Sequence, residues 1–165
     1  MTNWNEIAKQ IEIAISELAL SASRPHGLPE WTEAIKDTAR KIGIREHYEV
    51  APDPQKYNQQ WLYDLVWYKE SEIGTTSVPL VLESEWSMDF YQVRIDFEKL
   101  LVAKSQLKIM IFQQHVAEMT DWFQKLTKCV EAFSPIMDDE IYLLLCYNLT
   151  SDRFVAHYIK PKRAP

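Results

Sequence analysis

Asp64, Glu83, Glu85 and Lys99 are the residues whose types and spacing could do chemistry in this chain. Asp64 and Glu83 interrupt two otherwise apolar, strand-like segments, Trp61-Leu-Tyr-Asp-Leu-Val-Trp-Tyr68 and Val78-Pro-Leu-Val-Leu-Glu-Ser-Glu85. A carboxylate in such a setting is costly unless positive charge meets it. A hairpin symmetric about Ile73-Gly74 places Asp64 opposite Glu83, Val66 opposite Val81 and Leu62 opposite Glu85. Directly opposed side chains have Cβ atoms roughly 4.5 to 5.5 Å apart, and like charges there are destabilising. A bridging divalent cation reverses that penalty, because Mg²⁺ takes one or two carboxylates and completes its shell with water and phosphate oxygens. Glu85, two residues beyond Glu83 on a strand, points to the same face. The same acids also suit the edge of a solvated sheet face, although the flanking Leu, Val and Trp residues disfavour full exposure.

The elements that must position these groups can be read from periodicity. Trp4, Ile7, Ile11, Ile15 and Leu18 predict an amphipathic helix over 4–22, and Trp31, Ala34, Ile35, Thr38 and Ile42 predict a second ending near Gly43. Arg45 to Val50 reads as a short strand stopped by Pro52-Asp-Pro54, and residues 61–68 and 78–85 read as the hairpin. Phe90, Val93, Phe97, Leu100 and Leu101 form a helical stripe, followed by a buried strand from Leu107 to Phe112. A helix from about Gln114 to Phe133 precedes strands Ile141 to Tyr147 and Phe154 to Ile159, with a turn at Asn148-Leu-Thr-Ser-Asp152. That order predicts an α/β fold, a three-layer sandwich with a central mixed β-sheet flanked by helices. One domain over 1–165 is expected, with N-terminal helices in 1–44 and the core in 45–165.

The chain has 165 residues, is 47% hydrophobic and carries a formal charge of −6. That balance argues against non-specific coating of nucleic acid, which needs many Lys and Arg contacts to phosphate. No secretory-type segment or run long enough for a bilayer is evident, so a soluble, cytoplasmic protein with no membrane partner is expected. Cys129 and Cys146 match no zinc or redox spacing and read as small buried hydrophobes. Gly27, Gly43 and Gly74 are too few for a glycine-rich phosphate loop, no G-x-S-x-G elbow occurs, and the four histidines, His47 and His115 among them, lack metal-ligand spacing.

A helix, a strand carrying Asp64, a hairpin into a strand carrying Glu83-Ser-Glu85, then a helix and a further strand resembles the PD-(D/E)XK nuclease superfamily, the restriction-endonuclease-like fold. The resemblance covers roughly residues 1–112, and its specific part is Asp64, Glu83 and Glu85. It implies Mg²⁺- or Mn²⁺-dependent hydrolysis of phosphodiester bonds in DNA. Asp64, Glu83 and the carbonyl of Ser84 would face the metal, and Glu85 would help position or activate the attacking water. Tyr63 stands where the family usually has Pro, and Glu85 where it usually has Lys. Some members carry Glu at that third place and others take a Lys from the following helix, which makes Lys99 the migrated candidate. Lys99 shares a helical stripe with Gln92 and Asp96, and it also suits a surface lysine paired with Asp96. Glu12 or Glu17 on the first helix could lend a further acid, but a solvent-facing role fits them better. Lys104, Lys108, Lys125 and Lys128 read first as solubilising charges and second as phosphate contacts. Trp86 is the tryptophan placed to stack on a base. The alternative function is a catalytically inactive nuclease-fold protein acting as an interaction or inhibitory subunit, with a protein partner or a homodimer mate. The tail Lys160-Pro-Lys-Arg-Ala-Pro165 is expected to fray.

Overall fold

The computed structural model describes residues 2–54, 61–134 and 139–161. Its elements are α1 (Trp4–Leu20), α2 (Leu28–Arg45), β1 (Glu49–Ala51), β2 (Leu65–Ser71), β3 (Gly74–Glu85), α3 (Phe90–Val102), β4 (Leu107–Gln114), α4 (Val116–Ala132), β5 (Ile141–Asn148) and β6 (Arg153–Ile159). The strands form one open mixed sheet whose spatial order follows chain order. β1, β2 and β3 are antiparallel neighbours, β3, β4 and β5 run parallel, and β6 returns antiparallel to β5. Helices cover both faces, so the expected three-layer α/β arrangement holds.

Each helix is placed by an apolar stripe. The Asn3 side chain caps α1 by accepting from the Glu6 backbone N–H, and Ile7, Ile11 and Ile15 face inward. Pro29 sits in the first turn of α2, where a missing N–H costs no helical hydrogen bond. α1 and α2 bury these residues with Ile35 and Ile42 against Leu65, Trp67, Leu80, Leu82, Ile109 and Leu143. On the opposite face, Val93, Phe97 and Leu100 of α3 and Trp122, Phe123 and Leu126 of α4 pack on Val66, Val81, Met110 and Leu144. β4 and β5 are covered on both faces, which is why they read as unbroken apolar runs rather than alternating ones.

The hairpin register is the one expected at its inner end, with Val66 opposite Val81, flanked by Leu65 opposite Leu82 and Trp67 opposite Leu80. The turn is not centred on Ile73-Gly74, however. Ser71 pairs with Gly74, so the turn is Glu72-Ile73, and two irregularities between Trp67 and Glu70 absorb the difference. Gly74 has φ 111°, a conformation that glycine adopts without the steric cost of a Cβ.

Two expectations are corrected. Arg45 belongs to α2 and the first strand begins at Glu49, so the strand expected from Arg45 is three residues long. α2 ends at Arg45, two residues past Gly43, near which its end was expected, and at Gly43 the helix crosses Trp67 at a distance that leaves no room for a side chain. Lys108 is not a solubilising surface charge. It is fully buried, with Nζ 3.0 Å from Glu140 Oε1 and 3.0 Å from the Tyr142 hydroxyl. Tyr142 in turn donates to Glu140 Oε2 at 3.0 Å. Burial lowers the Lys108 pKa and Glu140 opposes that shift, so the ammonium is held by its carboxylate partner. Of the tail expected to fray, residues 162–165 lie outside the described residues.

A Cβ on Gly43 would stand 2.6 Å from Trp67 Nε1 and 2.9 Å from Val50 Cγ2. Gly43→Ala should therefore destabilise the fold by about 1–3 kcal/mol through overpacking, despite the better helix propensity of Ala. Urea denaturation measures it, and a stabilised Gly43→Ala protein would contradict the packing.

Candidate functional site

Asp64 immediately precedes β2, Glu83 is in the last turnless stretch of β3, and Lys99 is in the last turn of α3. Alternation along β3 sends Val81 and Glu83 to the α3 face, while Leu80 and Leu82 go to the α1–α2 face. α3 then returns over that face and delivers Lys99. Its Nζ lies 3.4 Å from Glu83 Oε1 and 2.6 Å from Asp96 Oδ1, one turn earlier on the same helix. Asp64 Oδ2 accepts two hydrogen bonds from Ser84, from the backbone N–H at 2.8 Å and from the hydroxyl at 2.7 Å. These two contacts fasten the start of β2 to the end of β3.

Glu83 is only 3% exposed. Burial and the neighbouring Asp64 charge, opposed by Lys99, push its pKa up to about 8. Lys99 loses hydration but gains Asp96 and Glu83, and the net effect is a raised pKa, so its ammonium stays charged. Tyr63 closes the site from the other side: its hydroxyl donates to the Lys99 carbonyl at 3.2 Å, and burial followed by the Glu83 charge raises its pKa.

Of the residues expected at the site, Asp64, Glu83, Ser84 and Lys99 come together. Glu85, two residues beyond Glu83 at the end of β3, accepts at Oε1 from the Ser87 backbone N–H at 2.7 Å. Ser84 is present, but its contacts to Asp64 are made by the N–H and hydroxyl. Trp86 is half-buried, donates from its indole Nε1 to Thr32 Oγ1 at 2.8 Å and accepts at its backbone carbonyl from the Gln113 amide, so the residue ties α2 to β4. Glu12 is tied to Lys9 at 2.7 Å and accepts from the Tyr158 hydroxyl, remote from the acid pair. Tyr63 as a wall of the site and the Ser84 hydroxyl as a clamp are not evident from spacing. Both adjoin the acids in sequence, which was the available signal.

Among the described residues no group of three or more His, Cys, Asp and Glu side chains is arranged around a common metal position. The Asp64–Glu83 pair would offer a hard cation two carboxylate donors, with Asp64 Oδ2 already accepting from Ser84. Two carboxylates are a normal protein contribution to a Mg²⁺ shell, and a buried carboxyl held protonated for lack of positive charge is what a cation would ionise. Among the described residues Lys99 is the cation that touches Glu83, and its shorter contact is to Asp96.

No family model, curated protein or solved structure matches the chain. Among the described residues no helix is long and apolar enough to cross a membrane.

Because the folded-state pKa of Glu83 lies above its ordinary 4.5, the group contributes stability that is complete below about 4.5 and lost as pH rises through about 8. Between those limits its contribution should fall by about 1.4 kcal/mol per pH unit in cation-free buffer. Glu83→Gln removes that slope. The stability of the variant relative to the parent should therefore rise from pH 5 to pH 8 in parallel urea titrations, and a constant difference would contradict the burial of an uncompensated carboxyl.

Proposed function

We propose that the chain is a restriction-endonuclease-like α/β sandwich of the PD-(D/E)XK type and hydrolyses phosphodiester bonds in DNA with Mg²⁺ or Mn²⁺, acting in the cytoplasm. The observation that carries this reading is the buried Glu83 beside Asp64, with Lys99 of α3 reaching the same carboxylate. The element order supports it as well: leading helices, an antiparallel hairpin with Asp64 just before its first arm and Glu83 on its second, a helix, and a strand added parallel to the second arm.

Asp64 and Glu83 would hold the cation, and Ser84 would keep Asp64 aimed by occupying Oδ2 from two directions. When bound, the cation polarises the phosphoryl group and lowers the pKa of water next to it. Lys99 acts as a fixed positive charge and not as a base, because Asp96 and Glu83 keep its ammonium protonated. It can donate hydrogen bonds to the negative charge that develops on the phosphoryl oxygens. Tyr63, through the Lys99 carbonyl, holds the last turn of α3 at the height of the two acids. Glu85 is placed to support the β3–α3 connection through Ser87, and the water-positioning role that the resemblance implies for it would need that contact to open.

A second reading is favoured by one observation: each acid already has a partner within the chain, Lys99 bridging Asp96 and Glu83 and Ser84 holding Asp64 through two bonds. With a net charge of −6, such a cluster also suits an inactive nuclease fold that serves as an interaction or inhibitory subunit.

Incubation of the pure protein with duplex DNA, single-stranded DNA and RNA in Mg²⁺ or Mn²⁺ tests the first reading. Asp64→Ala should lower cleavage by roughly a hundredfold or more and abolish the heat of metal binding in calorimetry. Activity that survives Asp64→Ala removes the acid pair from the mechanism, and parent protein that takes up no metal favours the inactive reading. Lys99→Met should also lose roughly a hundredfold in cleavage while keeping metal binding, and an equal loss of both would make Lys99 a structural partner of Glu83.

A further inference from the structure

Beside the acid corner, the hairpin and the connection after α3 enclose a cleft. From Gly74 to Pro79, β3 is paired on the β2 side, and its parallel pairing with β4 begins only at Leu80 opposite Leu107. The segment that joins α3 to β4 runs along this arm, and the buried Ser105 hydroxyl donates to the Val78 carbonyl at 2.6 Å, which fixes the one to the other. Trp61 and Tyr63, on the chain that enters β2, supply a further wall. The cleft has a volume of about 470 Å³, within the range of small-molecule sites.

The lining contrasts with the acidic balance of the whole chain. Among the described residues that line the cleft, Lys104 is the one charged side chain and none is an acid. Lys104 is exposed and enters no ion pair among the described residues. Thr75, Thr76 and Ser77 bring hydroxyl side chains from β3. Trp61 is half-buried and rests on Tyr68, with ring centroids 5.6 Å apart, so the indole is supported by the core while it lines the cleft. Trp86, by contrast, spends its indole N–H on Thr32. Two residues belong both to the cleft and to the acid corner. Tyr63 lines the cleft and places its hydroxyl on the Lys99 carbonyl. Val81 borders the cleft, and Glu83 follows it on the same face of β3, about 7 Å along the strand.

We propose that this cleft takes one unpaired nucleotide of single-stranded DNA, with its base on Trp61 and its phosphate against Lys104, next to the phosphodiester held at Asp64 and Glu83. The assignment rests on the nuclease reading, which supplies that phosphodiester. A supported aromatic ring, hydroxyl groups and one cation with no acid beside it are what a stacked base and its backbone require. A base within a duplex is covered on both faces by its neighbours, so stacking on Trp61 selects an unpaired strand.

Fluorescence anisotropy of a labelled oligothymidylate tests it on the intact chain in EDTA, where neither metal uptake nor cleavage enters the measurement. The single strand should bind about tenfold tighter than a duplex of the same length, and Trp61→Ala should weaken it roughly tenfold, the worth of one stacked base, while Trp61→Phe keeps most of the affinity. Lys104→Gln should lower the slope of log affinity against log salt by about 0.7, one phosphate contact on a single strand. Circular dichroism checks that Trp61→Ala folds, and Lys104→Gln, at an exposed position, carries the test if it does not. A duplex bound as tightly as the single strand, or single-strand binding indifferent to both Trp61→Ala and Lys104→Gln, overturns the nucleotide site and leaves the nuclease reading standing wherever the parent cleaves DNA in Mg²⁺. A parent that takes up no metal and cleaves nothing, yet keeps the Trp61-dependent binding, overturns the nuclease reading and supports the nucleotide site.

Discussion

A carboxyl group taken out of water ionises only where positive charge replaces its hydration, and Glu83 is that group in this protein. It is buried near the end of β3, the longest strand, with a second acid beside it and, among the described residues, one lysine ammonium in reach that is shared with Asp96. The rest of the site follows from this imbalance. Asp64 is held by Ser84, Lys99 is held by Asp96 and by the carbonyl contact of Tyr63, and the corner between β3 and α3 is left short of positive charge.

The scaffold delivers these groups through the junction at β3. On one side β3 is the second arm of an antiparallel hairpin, and on the other it begins the parallel part of the sheet. The hairpin sets Asp64 level with the end of β3, and the crossover to β4 forces α3 across the face on which Glu83 points. One strand therefore fixes all three charged groups. The buried Lys108–Glu140–Tyr142 network sits on that same face, under Phe97, and shows the contrasting solution: there the ammonium and the carboxylate are matched within the chain, and the hydrogen bonds close on themselves.

Much of this was legible in the residues because burial writes itself into alternation. The pairing of Val66 with Val81 emerges from the sequence even though the turn is offset, since inner register follows the apolar faces and the irregularities near Lys69 repair the mismatch locally. Lys99 could be placed on the correct helix face from spacing alone. The extra helix length to Arg45 was not legible, because Gly43 reads as a stop unless its approach to Trp67 is known. The burial of Lys108 left a weaker signal. A lone Lys in the run Leu107-Lys-Ile-Met-Ile-Phe112 is conspicuous, but its partners Glu140 and Tyr142 are distant in sequence and meet it only through the β4–β5 pairing. For Glu85 alternation gives its face but not its bond to the Ser87 N–H, which is made after the strand has ended.

Whether the Asp64–Glu83 corner accepts a divalent cation is reported most directly by the titration of Glu83 itself. Carbon-13 carboxyl chemical shifts followed against pH, with Glu83→Gln identifying the resonance, give its pKa with and without Mg²⁺. A value near 8 in the absence of the ion, falling well below neutrality in its presence, is the predicted result. A carboxyl that titrates near 4.5 without any ion, or one that stays near 8 when Mg²⁺ is saturating, contradicts it.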